Sequence, residues 1–381
     1  MNRTPGGELP AGHSFIAFFR AEGYNDLIRK TTESEKRKRT MFDEKYCLET
    51  FEKLLGTDST TGQYEQIQSL VCGMLDELGV PYTLLHKGGV IADLGGEGNT
   101  LAVTAHLDDI GLMVRHLNAD GTLNVCPVGG LYPFYCMGEN VRVHTRDGRV
   151  FTGTVCRTPN SIHVTEEELR VTPPDWRSNV CVVLDENVKT AAETRALGVE
   201  TGDIIALEPR CSFSNGYLKS RFVDDKACAA VLLTAIRALR ERGKPPRRRV
   251  LADFAMFEEI GHGTAWLPEG VKDILAIDIA PTGPEQNSDE RKVSIFAKDS
   301  RFPYHWGMSC ELREAAIAAG VDYVMDVFTP HYGTDCDPVI TAGYDVRHGA
   351  IGPGTANSHG YERTHLDGLR NTYELLMAYI G

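Results

Sequence analysis

The sequence predicts an α/β domain interrupted by a small β-rich domain. Three observations carry this. Short apolar strands alternate with long amphipathic helices in the first and last thirds of the 381-residue chain. Between them, from about Gly129, segments alternate polar and apolar residues like strands with one exposed face. From Asp224 the α/β pattern resumes with a long helix, DDKACAAVLLTAIRALRERG. The expected units are an N-terminal extension over 1–40, a catalytic domain over 41–129 and 216–381, and an inserted β-rich domain over 130–215.

The extension carries Pro5, Gly6, Gly7, Pro10 and Gly12, then the basic run Lys36-Arg37-Lys38-Arg39, with a short helix expected around Phe15 to Arg29. Met41 opens a better-patterned helix stopped by Gly56, and is itself a plausible start of the chain. A second helix is expected from Gln63 to Leu78, closed by Gly79. The segments PYTLL, VIADL, LAVTA and GLMVRHL follow as strands, with a turn at Asn118 to Gly121. Residues 140–157, NVRVHTRDGRVFTGTVCR, read as a hairpin around Arg-Asp-Gly. VCVVLD and DIIALEP extend the β-rich stretch, with the helix NVKTAAETRALG between them. After the long helix come the strand RRVLADFAMF, a helix from Glu311 to Ala319, the strand YVMDVF and the final helix HLDGLRNTYELLMAYI.

Composition excludes several function classes. Net charge is −13 and pI about 5.4, which disfavours nucleic acid or an anionic membrane as partner. No apolar run approaches the ~18 residues needed to span a bilayer. Ten scattered cysteines without a CxxC pair indicate neither a zinc ribbon nor a disulfide framework, and fit a reducing cytoplasm.

Acids and histidines recur where apolar strands end. LAVTAHLDD places His106 directly after a strand and Asp108 two positions on, where a carboxylate can orient a ligating ring. FVDDKACAAV places Asp224 and Asp225 at the mouth of a helix, a position that also suits capping. FAMFEEIGHG ends a buried strand on Glu258 and Glu259. ILAIDIAP supplies Asp278, costly in an apolar strand if unpaired. NSHGYERTH supplies His359 and His365. Singly, each has an ordinary structural explanation. Together they are the nitrogen and oxygen donors that zinc, cobalt or manganese accept. Their number exceeds one tetrahedral site and suits two ions roughly 3.5–4 Å apart. That also accounts for the adjacent glutamates. One binds metal while the other stays free as a general base that activates water.

These motifs resemble those of the tetrahedral (glutamyl) aminopeptidases, a family of two-metal peptidases. AHLDDIGLMV is similar to the family's AHMDEIGFMV, FVDDKACA to its DDR-G segment, FEEIGHGTA to its EEVG segment, and IDIA to its aspartate strand. GVETGD resembles the end of the family's inserted domain, and GTDCDP a late GTDA segment. The resemblance runs from about Met41 to the C-terminus. It implies a zinc-exopeptidase-like mixed sheet flanked by helices, with a barrel- or PDZ-like dimerisation insert. It implies that His106 and Asp278 hold one metal, Glu259 and His359 the second, and Asp224 both. Glu258 would be the general base and Asp108 the support of His106. Two departures stand out: Lys226 replaces the arginine of DDR, and the usual HSPVE tail is HGYERTH, which leaves His365 as an alternative to His359. His262, His331 and His348 receive no role.

The expected activity is removal of N-terminal residues from peptides in the cytoplasm, and the resemblance implies a homo-oligomer, a dimer or a twelve-subunit particle. The competing expectations are a carboxypeptidase or deacylase of the wider co-catalytic class, and a metal-binding scaffold without catalysis.

Overall fold

The computed structural model describes residues 42–159 and 161–381. The helix expected near Phe15 and the basic run after it lie outside these residues, as does Met41. In chain order the elements are α1 (Glu44–Leu55), α2 (Glu65–Glu77), β1 (Tyr82–Leu84), β2 (Val90–Asp93), β3 (Thr100–His106), β4 (Gly111–Leu117), β5 (Leu123–Val128), β6 (Asn140–His144) and β7 (Val150–Arg157). Then come α3 (Glu167–Val171), β8 (Val180–Leu184), α4 (Ala191–Ala196), β9 (Ile204–Leu207), β10 (Ser212–Ser214), β11 (Tyr217–Ser220), α5 (Val223–Arg242), β12 (Val250–Ala255), β13 (Val271–Ile277), β14 (Ala280–Pro281) and β15 (Val293–Lys298). The chain closes with α6 (Trp306–Ala319), β16 (Tyr323–Val327), α7 (Cys336–Thr341), β17 (Arg347–Thr355), β18 (Glu362–His365) and α8 (Leu366–Ile380).

A mixed sheet in the order β1-β2-β12-β3-β13-β17-β15-β16 forms the centre of the catalytic unit. Its middle strands β12, β3, β13 and β17 run parallel. Strands buried on both faces must be apolar throughout, and every residue of β3 and β12 is buried. The alanine-rich α5 packs on β3, with α1 and α8 against α5. Burying each Leu or Val of this core contributes about 1.5–3 kcal/mol, so the strand ends are held firmly. Parallel pairing aligns these ends. His106 stands in register with Ala255, three residues before Glu258, and Asp278 follows β13 directly. Ligands of open α/β sheets bind at such carboxyl ends.

The insert is a closed six-stranded barrel, β4-β5-β8-β7-β6-β9. It runs from Gly111 to Leu207, so the boundaries expected at 130 and 215 need correction. β4 turns out of the main sheet immediately after the His106 loop and pairs with both β5 and β9, burying Leu112 and Val114 inside the barrel. Composition changes only after Gly129, and that change hid the earlier departure. At the other end β10 and β11 pair with each other and with β18 of the catalytic unit. The helix expected over NVKTAAETRALG shrinks to the six residues of α4, capped by Thr190. The helix expected to begin at Glu311 starts instead at Trp306, where the His305 ring accepts the Met308 amide at 3.3 Å.

A charged clamp joins barrel and catalytic unit. Asp58 accepts from Arg142 Nε at 2.7 Å and faces His144 Nε2 at 2.7 Å, both on β6. Burial alone would raise the Asp58 carboxyl, but hydrogen bonds from Arg142 and His144 hold it well below the usual range. A depressed carboxylate stabilises the fold above its unfolded pKa of ~4 and loses that contribution as pH falls toward the folded value. Asp58→Asn is therefore expected to cost about 2 kcal/mol at neutral pH. Denaturant titrations at descending pH should show the gap from wild type shrinking below ~pH 4. A gap that is constant or grows on acidification would contradict this account of the clamp.

Candidate metal centre

His106 is the last residue of β3 and is buried. Its Nδ1 lies 3.0 Å from the main-chain oxygen of Asp108, which accepts that N–H and aims Nε2 at Asp224 Oδ1, 3.1 Å away. The Asp108 carboxylate, expected to support the ring, has its Oδ1 3.7 Å from Nδ1, beyond hydrogen-bond reach. That carboxylate instead accepts the main-chain amides of Glu258 (3.0 Å) and Glu259 (3.3 Å) and the Thr61 hydroxyl (2.7 Å). Asp108 thus holds His106 with its backbone and the two glutamates with its side chain.

The two glutamates occupy a single 3₁₀ turn between Phe257 and Gly261, both left-handed (φ 73° and 72°). The turn splits the pair. Glu258 Oε2 lies 3.7 Å from His106 Nε2, and Glu259 Oε2 lies 3.3 Å from His359 Nε2. The neighbours in sequence therefore face different histidines.

Asp224 and Asp225 sit in the first turn of α5 but off helical dihedrals, and the peptide between them is cis. Neither caps the helix; Phe222 occupies that position without a side-chain hydrogen bond. Asp224 Oδ1 faces His106, and Oδ2 lies 3.7 Å from His359 Nε2. Asp225 Oδ2 accepts the His106 amide at 3.2 Å. Two close groups of donor atoms result, His106–Asp224–Glu259 and His106–Asp225–Asp278, each within 4.8 Å. His359 has φ 60°, and its Nδ1 points to Gly130 O at 3.1 Å. A Cβ at Gly130 would fall 2.7 Å from that nitrogen, so only glycine lets the ring in. His365 faces elsewhere: it accepts the Asp367 amide at the start of α8 (3.0 Å) and lies 3.3 Å from Asn215 O. His262 meets Lys87 at 3.0 Å, His331 lines the adjoining cavity, and half-buried His348 lies beside Tyr304.

Burial pushes Asp225, Glu258, Glu259 and Asp278 well above the ordinary carboxylate range. Burial also disfavours charge on His106. The Asp224 hydrogen bond and the Glu258, Asp225 and Asp108 carboxylates outweigh it and raise the ring well above 6.5. The same hydrogen bond, against burial, holds Asp224 low. By its protein atoms alone, the cluster can balance its charge only by holding protons. Divalent cations would do so instead, and the donor set suits them.

Sequence reasoning missed Glu362. It is buried in β18 and accepts the Asp224 amide on Oε2 and the His359 amide on Oε1, both at 3.0 Å. One carboxylate thus ties two expected ligands from distant parts of the chain. Its only signal was an acid three residues after His359. Arg221, fully buried, reinforces the same loop by donating to Gly360 O at 3.2 Å and to Glu139 at 3.2 Å. A cavity of about 320 Å³ opens on Asp224, Glu258, Glu259, Asp278 and His359.

The chain therefore has a parallel-centred sheet, an acid and histidine cluster at its strand ends, and an inserted barrel. Residues 88–375 match the M42 glutamyl aminopeptidase family, and the chain belongs to that family. YhfE of Bacillus subtilis (strain 168), provisionally named an aminopeptidase, is 34% identical over 337 residues, covering 87% of this chain and 96% of its own. The lysyl aminopeptidase of Pyrococcus furiosus is 29% identical over 249 residues, covering 64% of this chain and 69% of that protein. The fold resembles the TET aminopeptidase of a marine sediment Thaumarchaeota archaeon, with TM-score 0.79, 18% identity, and 88% and 96% of the two chains covered. TET1 of Pyrococcus horikoshii gives TM-score 0.77 at 22% identity, covering 87% and 98%. The chain is thus a peptide hydrolase of the aminopeptidase class, with clustered side chains of the kind that ligate metal ions.

Removing the Glu362 tether should loosen the site without removing a ligand. Glu362→Gln offers one acceptor oxygen where two amides now need one each. Metal affinity, measured by competition with a chelating dye, is expected to fall about 10–100-fold. Unchanged affinity would show that Asp224 and His359 are held by other means.

Proposed function

We propose that the enzyme removes N-terminal residues from peptides using two divalent ions and Glu258 as general base. The observation that carries this is Asp224, whose two oxygens face two different histidines, His106 and His359. Such a carboxylate suits a bridge between ions. His106 and Asp278 would hold one ion, Glu259 and His359 the other, with zinc favoured and cobalt or manganese also compatible with these donors. When bound, the ions supply Lewis acidity that polarises the scissile carbonyl and favours deprotonation of water.

The chain's own groups do the rest. Glu258 is mostly buried, borders the cavity, and is held through its amide by Asp108. Its carboxylate takes the proton from the attacking water and returns it to the departing amine nitrogen. Asp108 fixes both glutamates so that one can bind while the other stays free. The family match and aminopeptidase-named relatives favour this reading over a carboxypeptidase or deacylase, and Glu258 beside the cavity disfavours an inactive scaffold.

Assembly as a homo-oligomer through the barrel is part of the same proposal. Ile162, Val164, Leu169 and Val171 of the insert are exposed, which favours burial against another subunit. The related structure of PhTET1-12s is a dodecamer, and Pyrococcus horikoshii TET1 can assemble into a tetrahedron or a large octahedral shell. The ten free cysteines support a reducing, cytoplasmic setting. Among the described residues no helix is long and apolar enough to cross a membrane.

Glu258→Gln preserves shape but cannot accept the proton. Turnover of aminoacyl substrates is expected to fall by about 10²–10⁴ with metal content retained. If that variant loses metal while Glu259→Gln keeps it, the two roles are reversed. Light scattering should find a dimer or a larger closed particle. A stable, active monomer would refute the barrel as an interface.

A further inference from the structure

A second cavity, of about 360 Å³, adjoins the one that opens on the acid cluster. The two share Asp224, His331, Tyr332 and His359, so both border the proposed metal ligands. Their chemistry differs. The first is bordered by the carboxyls of Glu258, Glu259 and Asp278. The second is lined by Tyr132 and Tyr135 from the barrel and by Pro281, Phe328, Pro330 and Tyr332 from the catalytic unit. Among the described residues that line it, only the shared Asp224, His331 and His359 are acidic or basic.

The barrel contributes an exposed aromatic loop. Between β5 and β6 the chain reads LYPFYC, Leu131 to Cys136. Leu131 and Cys136 are buried, yet Tyr132 is 62% and Phe134 59% exposed. The rings pack on one another, with centroids 6.0 Å apart for Tyr132 and Phe134 and 4.3 Å apart for Phe134 and Tyr135. The loop is pinned at both ends. Trp176 Nε1 donates to Leu131 O at 3.3 Å, and the buried Arg221 donates to Tyr135 O. The Tyr135 ring lies against Gly360, where a Cβ would fall 3.0 Å from it, one residue after His359. On the catalytic unit, Phe328 is buried and its ring centroid lies 5.3 Å from that of Tyr332, whose hydroxyl donates to Ile279 O at 2.6 Å. Rings held this way lose little freedom when a ligand covers them, and an exposed apolar cluster beside a site marks a binding surface.

We propose that these rings form the subsite for the second residue of the substrate, the one whose nitrogen departs, and select a large apolar or aromatic side chain there. This rests on the aminopeptidase reading above. Charge and length assign the two cavities. Only one residue precedes the scissile bond, and its cationic amine suits the cavity bordered by carboxyls. Beyond the bond the peptide is of any length and needs an exit, which the second cavity offers at the exposed Tyr132. An aromatic second side chain covers Tyr132 and Tyr135 and is covered in turn. A charged one would lose water among these rings without gaining a partner.

The test compares Leu-Phe, Leu-Ala and Leu-Glu amides on the metal-loaded full chain, so that only the second residue varies. The expected kcat/KM for the Leu-Phe amide exceeds that for the Leu-Ala amide by about 10–100-fold, the worth of covering one phenyl side chain. The Leu-Glu amide should rank last. In Tyr132→Ala, which removes an exposed ring, the Leu-Phe to Leu-Ala ratio should fall about fivefold or more. Tyr132→Trp, which keeps a ring, should retain it. The preference between Phe-Ala and Leu-Ala amides, which differ only in the first residue, should be the same in wild type and Tyr132→Ala. A wild-type Leu-Phe to Leu-Ala ratio of one or below overturns the proposal, as does a ratio that survives Tyr132→Ala. A change in first-residue preference instead would put the rings on the other side of the bond and overturn it too. So would a Tyr132→Ala protein that loses subunits by light scattering while its ratio holds, since the rings would then serve a second copy of the chain. Cleavage of none of these amides would remove the aminopeptidase reading itself.

Discussion

The crowding of buried carboxylates at the ends of parallel strands is the constraint on which the site depends. Buried Asp224, Asp225 and Asp278 and half-buried Glu258 and Glu259 converge on His106 and His359. Desolvating one carboxylate without a partner costs several kcal/mol, and like charges add to the cost. A fold would not gather such groups for stability. Protonation can relieve the conflict, as the raised carboxyls show, but only by consuming the acceptors that make the cluster chemically useful. Two cations would relieve it and keep them.

The support around the cluster follows from this. Ligands under mutual repulsion need to be held by something other than each other, and here the main chain is the handle. Asp108 holds the amides of Glu258 and Glu259, and Glu362 holds those of Asp224 and His359. Each carboxylate ties together ligands that approach from separate elements. The left-handed residues Phe222, Phe257 and His359 lie at the bends this requires. The barrel takes part as well. The chain between β5 and β6 supplies Gly130 against His359, and Asp58 clamps β6 to the catalytic unit.

Much of this was legible in the sequence, for identifiable reasons. Strands buried on both faces leave a continuous apolar run, so β3 and β12 announced themselves and their terminal acids stood out. The recurring acids and histidines, together with the family resemblance, pointed to His106, Asp224, Glu259, Asp278 and His359, and the fold brings these side chains to one place. What depended on long-range geometry was not legible. The barrel boundary was misplaced because β4 looks the same whether it pairs with β3 or with β9. Asp108 was expected to orient His106 with its carboxylate, yet a residue two positions on can reach the ring with its carbonyl instead. Glu362 carried little signal beyond its place three residues after His359, because its other partner is a main-chain amide 138 residues away. Asp225 looked like a helix cap, and its contact with the His106 amide appears only when β3 and α5 are placed side by side.

The central claim is that this acid cluster exists to be neutralised by two divalent ions in place of protons. Calorimetric titration of chelator-stripped protein with zinc, near neutral pH and in buffers of different ionisation enthalpy, tests it most directly. It counts ions and released protons together. The account predicts two ions per chain, with about one or more protons displaced from the His106 ring and its buried carboxyl neighbours. Saturation at one ion, or binding without proton release, would contradict it.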